Sequence, residues 1–310
     1  MAACCAYVAK ACSALDQERP SQGIGLTVLE FARAPSAAAL MAKTAATSFK
    51  RPGRIEALSA VTRVLPSCRV DRTHVERYRA LCGIGTAPCV PMTYPQLLGF
   101  PLVLHYLASR DCPWPAAGLI HLANRIEQIE PVLPGEDVRV ELSPGTLLTH
   151  PKGQAFTLEM RVIRAGQPIW QATQTLLKRG PSEPVGPSFE GLASAGQAVA
   201  THQALDATAD MGRRYARLSG DFNPIHLWPL TARLFGFKRA IAHGLWSQAA
   251  TLAALDLQTP GGRAVLETQF MAPVLLPARP GIWCARGESG VYFELRDAQG
   301  ERAHFRSRWQ

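Results

Sequence analysis

The strongest constraint on how this chain can fold is that it repeats itself. Tyr78-Arg-Ala-Leu-Cys-Gly83 returns as Tyr215-Ala-Arg-Leu-Ser-Gly220, an offset of 137 positions. Continued without a gap, the same register lays Leu97-Leu-Gly-Phe100 on Leu234-Phe-Gly-Phe237. Farther on, residues 126–142 resemble residues 266–283, with Pro131 matching Pro273, and both read as strand, turn, strand. Residues 156–179 then parallel 291–309 as two alternating runs around a glycine turn, Ala165-Gly166 in one and Gln299-Gly300 in the other. That is a hairpin signature in each half. A self-similar period of this length means one architectural unit used twice.

Each unit therefore runs as a lead-in, one apolar helix and a succession of antiparallel strands, an α+β order. The helices are expected at about 94–109, apolar on nearly every side, and at about 243–256, rich in Ala and Leu. A helix that is apolar all round must be enclosed. The division that follows is an extension over 1–65 that packs on the first repeat, a first repeat over 66–180, a linker over 181–206 and a second repeat over 207–310. Residues 180–197 are rich in Pro, Gly, Ser and Ala and lack a sustained period, which marks the linker.

Composition narrows the function classes. With 47% hydrophobic and 18% charged residues the chain is an ordinary globular protein. No apolar run is long enough for a membrane span, so a cytoplasmic protein with no membrane partner is expected. The eight cysteines (4, 5, 12, 68, 82, 89, 112 and 284) contain no C-x-x-C pair and no zinc spacing, which suits a reducing compartment and no metal. The formal charge of +9 is spread along the chain without a block of like charges, arguing for an anionic small-molecule partner rather than nucleic acid.

The residues suited to chemistry crowd between Tyr215 and Trp246. Asp221 and His226 stand five positions apart across Asn223-Pro224, and Pro224 keeps them off one regular helix. On a turn the carboxylate and imidazole can converge on one water. Behind them, His243-Gly244 opens the second apolar helix, whose first N–H groups are unsatisfied and partly positive. Gly244 is therefore a candidate donor to a carbonyl oxygen that gathers negative charge.

The string Tyr215 to His226, followed by Ile241-Ala-His-Gly244, closely resembles the signature of the MaoC-like dehydratases, the (R)-specific enoyl-CoA hydratases. The resemblance implies a hot-dog fold, no metal or redox cofactor, and reversible conversion of trans-2-enoyl to (3R)-3-hydroxyacyl thioesters, with Asp221 and His226 as the catalytic pair. The whole chain resembles the double-hot-dog 3-hydroxyacyl-thioester dehydratases, in which the N-terminal repeat lacks that pair. In the ungapped register, Ile84 stands where Asp221 stands and Cys89 where His226 stands. One chain should then carry one site. The carrier of the acyl group is coenzyme A or acyl carrier protein, and association into a homodimer is compatible with everything above.

Around the pair, Asn223 reads either as a loop residue or as a contact to substrate, and Ser219 and Gly220 as loop support beside it. Tyr215, Phe237 and Trp246 are candidates for the wall of an acyl tunnel or for ordinary core, with His243 at the helix start. Lys238 and Arg239 are candidate contacts to coenzyme A phosphates or a solvated basic turn. His105, His121 and His150 have no ligand spacing and are expected to be structural or surface residues. Two rival functions remain: a thioesterase with a carboxylate-directed water, and a non-catalytic acyl-thioester or nucleic-acid binding module.

Overall fold

The structure, a computed structural model, describes residues 19–23, 26–180, 183–194, 199–258 and 261–310. The extension supplies β1 (Arg19–Gly23), β2 (Leu26–Glu30) and α1 (Ala37–Ala46). The first half follows as β3 (Thr62–Arg69), α2 (Arg72–Cys82), α3 (Pro95–Ala108), β4 (Leu119–Gln128), β5 (Asp137–His150), β6 (Gly153–Arg164) and β7 (Gln167–Arg179). The second half is β8 (Val199–Ala204), α4 (Met211–Ser219), α5 (Pro224–Leu227), α6 (Pro229–Arg233), α7 (Gly244–Ala254), β9 (Ala264–Phe270), β10 (Gly281–Gly287), β11 (Gly290–Arg296) and β12 (Ala303–Trp309).

The strands make one sheet in the order β1-β2-β3-β5-β6-β7-β4-β9-β12-β11-β10-β8. Read outward from the central β4·β9 pair, the two halves are the same list reversed, β4-β7-β6-β5-β3 and β9-β12-β11-β10-β8. The seam is antiparallel and runs from Ala123 opposite Gln269 to Gln128 opposite Ala264. Joining there removes two long edges that would otherwise invite foreign strands. Both expected hairpins form, β6 with β7 and β11 with β12. In the first, Ala165 and Gly166 both take positive φ, the mirror-image turn that suits strand twist. This is the double hot-dog expected from the sequence.

The two long helices lie where a sheet can wrap them. Leu102, Val103 and Tyr106 of α3, and Trp246, Ala249, Ala250 and Leu252 of α7, are buried in one core with strand residues such as Phe156, Trp170, Phe293 and Phe305. Near the seam, polar side chains are buried but paired. Gln96 and Asn124 exchange amide hydrogen bonds at 3.0 and 3.1 Å, and Gln248 donates to Thr268 Oγ1 at 2.7 Å. Such a satisfied network favours one register between the halves.

Several sequence expectations change. Strand β8 lies within the stretch read as linker, and it pairs with β10 at the sheet edge. Strand β3 begins before residue 66 and takes β2 of the extension as a parallel neighbour. The tetrads at 97–100 and 234–237 are not equivalent: the first sits inside α3, the second in the turn after α6. The true register beyond the first hexad matches α3 to α7. The segment from the capping glycine to the helix start is therefore twelve positions in the first half (83 to 95) and twenty-four in the second (220 to 244). Cys89 is thus no counterpart of His226. The five described cysteines are all free thiols, and Cys4, Cys5 and Cys12 lie outside the described residues. No described helix is long and apolar enough to cross a membrane.

Candidate active site

The extra residues of the second half build the site. Helix α4 ends on Gly220, which is left-handed at φ 78°, a conformation open to glycine at little cost. The chain reverses there, and Ser219 Oγ accepts from the Asp221 amide at 3.2 Å. Asp221 Oδ1 in turn accepts from the Asn223 amide at 3.1 Å, so the carboxylate is oriented by its own loop. Asn223 caps α5, its Oδ1 accepting from the Ile225 amide at 3.4 Å, and Pro224 opens that helix. One turn later His226 points inward and is buried, while the Asp221 side chain keeps 28% of its surface exposed.

The tautomers follow from the partners. His226 Nδ1 lies 2.9 Å from the Ile241 carbonyl, which can only accept, so Nδ1 carries the proton and Nε2 keeps its lone pair. His243 Nε2 likewise donates to the Asp221 carbonyl at 3.0 Å and stands 3.7 Å from Asp221 Oδ2. The two imidazoles stack with centroids 3.7 Å apart. Burial pushes His226 below its usual pKa, with the Asp221 charge partly opposing. His243 is pushed further down, by burial first and by His226 second. Both rings are therefore neutral near pH 7.

One nitrogen or oxygen from each of Asp221, His226 and His243 lies within 4.8 Å of the others. Two groups that grip the same water stand about 4.5–5 Å apart, so the span suits a shared solvent molecule. It suits a metal poorly, because His243 Nε2 is already donating to the Asp221 carbonyl.

Gly244 starts α7, and its N-cap His243 makes no side-chain cap, so the leading N–H groups are not taken up by a capping side chain. A Cβ there would lie 2.9 Å from the Phe270 ring. Glycine is thus required by close packing on the aromatic, not by room for a ligand alone.

The other candidate residues divide. Tyr215 and Trp246 are core; Tyr215 packs on His243 at 4.9 Å with its hydroxyl sealed and unpaired, and Trp246 Nε1 reaches the Leu81 carbonyl at 3.4 Å. Phe237 is half-buried in the turn after α6, where Lys238 and Arg239 are exposed. Arg239 leans on the Pro277 carbonyl at 3.3 Å. A cavity of about 270 Å³ lies under the linker beside Thr173, Thr175, Phe189 and Gln269, and a second of about 80 Å³ beside Ile84 and Gln258. Neither is lined by Asp221 or His226.

Two contributors escaped the sequence reading. Gly212 on α4 faces the His226 backbone so closely that a Cβ would stand 1.9 Å from the His226 carbonyl oxygen. Its counterpart in the repeat register is Val75, and that change from valine to glycine was the available signal. Arg213 clamps the inserted segment from the same helix, stacking 4.0 Å over Trp228 and donating to the Leu227 carbonyl at 2.9 Å.

A MaoC-like domain model matches residues 191–298, the half that holds this site. The chain is also 31% identical over 263 residues to 3-hydroxyacyl-thioester dehydratase X of Mycobacterium tuberculosis, covering 85% of this chain and 94% of the relative. The chain belongs to the MaoC-like dehydratase family. Its members are hydro-lyases. The crystal structure of that relative, HtdX, superposes with a TM-score of 0.70 at 31% identity, covering 80% of this chain and 98% of its own. A MaoC-like dehydratase from Phytophthora capsici shares the fold at 17% identity, with a TM-score of 0.64 over 80% of this chain and 95% of the other.

Proposed function

We propose that this MaoC-like protein interconverts trans-2-enoyl and (3R)-3-hydroxyacyl thioesters, with Asp221 and His226 acting on one water. The observation that carries the reading is the clustering of the Asp221 carboxylate and the buried His226 imidazole within 4.8 Å, beside the start of α7. In hydration, the water gives a proton to the unprotonated Nε2 of His226 while Asp221 holds it in place. Its oxygen bonds to C3, and a proton passes from the pair to C2. Charge on the thioester oxygen is met by the Gly244 N–H and the positive end of α7. Dehydration is the reverse path. A positioned acid or base of this kind contributes about 10²–10⁴-fold.

The substrate class is supported by the named activity of the 31%-identical relative. Its carrier is coenzyme A or acyl carrier protein; Lys238 and Arg239, exposed in the turn after α6, suit the phosphate of either. The test is a purified-protein assay on crotonyl-CoA with chiral analysis of the product. Loss of enoyl absorbance with formation of the (3R)-hydroxyacyl thioester is expected. Release of free thiol without hydration would make the protein a thioesterase instead.

A further inference from the structure

The first half is not a bystander, and the feature that says so is a flaw in β4. Along that strand Ala123 and Arg125 face outward, while Asn124 and Ile126 face the helices. Strict alternation would put His121 outside with Ala123. Instead, the pairing with β7 slips between His121, opposite Leu176, and Ala123, opposite Thr175, which leaves Leu122 as the extra residue of a bulge. Leu122 joins a small outer cluster with Ala155 and Leu177. His121 is turned to the inner face, in line with Leu176 and Phe156 of the main core.

The bulge aims the ring across the seam. His121 packs on Phe270 at 5.0 Å, and Phe270 is the ring lying against Gly244 at the start of α7. The residue is half-buried, yet its Nε2 is sealed from solvent and has no hydrogen-bond partner. Burial lowers its pKa to about 4, against smaller opposing contributions from the Ala123 backbone and from Asp221, whose charge it senses. The ring is therefore neutral. The Ala123 backbone favours the protonated ring, as a carbonyl accepting from it would, and with Nε2 unpartnered that proton sits on Nδ1, which leaves Nε2 a bare acceptor. A buried acceptor without a donor costs about 1–3 kcal/mol, and bulges beside active sites are known devices for re-aiming a side chain.

We infer that His121, contributed by the first repeat, is a substrate-contacting residue of the second repeat's site, its Nε2 accepting a hydrogen bond from the 3-hydroxyl of the hydroxyacyl thioester or from the water that becomes it. The inference rests on the hydratase reading. Around the reacting carbons the thioester oxygen only accepts and the acyl chain is apolar, so the hydroxyl or water is the one donor that could satisfy Nε2.

The test compares two ligands that differ by that hydroxyl. Calorimetric affinities for (3R)-3-hydroxybutyryl-CoA and for butyryl-CoA are measured on the wild type, His121→Phe and His121→Gln. The expected result is about tenfold weaker binding of the hydroxyacyl thioester to H121F, butyryl-CoA within about twofold of wild type, and partial recovery in H121Q, which restores an acceptor. Equal weakening of both ligands, or of neither, in whichever variant folds overturns the role of His121 while leaving the hydratase reading in place. A wild type that hydrates no enoyl thioester removes that reading and this one with it.

Discussion

The segment between Gly83 and α3 and the segment between Gly220 and α7 start from the same structure and end in different ones. Both follow a helix closed by a left-handed glycine, φ 72° in the first half and 78° in the second. In the first, Val75 is fully buried on α2, and Arg79, one turn on, reaches across to the Gly85, Ala87 and Cys89 carbonyls. The guanidinium fills the ground under a short loop. In the second, the same two positions are Gly212 and Ala216, and the vacated surface is where the His226 backbone sits. The loop that carries Asp221 and His226 thus needs the supporting helix pared down beneath it.

The largest effect that would break this contrast is loss of either polar partner. Asp221→Asn should reduce enoyl-thioester hydration by about 10³-fold with little change in thermal midpoint, since the amide keeps the loop's acceptor. Activity retained in the purified variant would remove Asp221 from the chemistry. Next, Gly212→Ala should displace His226 and cost about 100-fold in turnover together with about 1–3 kcal/mol of stability. Val75→Gly is its mirror: it should destabilise the protein but leave turnover per folded molecule unchanged.

A smaller effect concerns pH. His226 and His243 are held below their ordinary values in the fold, so the native state binds fewer protons than the unfolded chain. Their contribution to stability is complete above about pH 6.5 and is lost as pH falls through the lowered folded values. The melting temperature should therefore drop from pH 7 to pH 5, with an acid limb in the hydration rate as His226 protonates. His226→Gln should flatten part of the melting slope. The smallest effect is Gly83→Ala, expected to cost about 1 kcal/mol in chemical denaturation without touching activity. Gly220→Ala should carry a similar stability cost and an activity loss besides, because its Cβ would press on Ala37 of α1 at 3.3 Å.

The sequence carried much of this because local chemistry announces itself. An Asp, an Asn-Pro turn, a His and a His-Gly helix start are readable one after another, as are two helices with no polar face and two hairpins with glycine turns. The failures have a common physical cause: they depend on what another element does. The tetrad match at 97–100 and 234–237 was a hydrophobic coincidence that concealed an insertion. Strand β8 lay beyond a Pro- and Gly-rich stretch and pairs with residues some eighty positions away. Gly212 is a helix residue whose need for glycine comes from His226, and His121 faces inward because a bulge reverses the alternation of its strand.

A double-mutant cycle on Asp221→Asn and His226→Ala, read as kcat/KM for crotonyl-CoA hydration, tests most directly whether the two side chains serve one water. If they do, the double variant should be about as slow as the slower single variant, because either loss alone already dismantles the unit. Losses that multiply, as they would for two groups working independently, would contradict the shared-water arrangement.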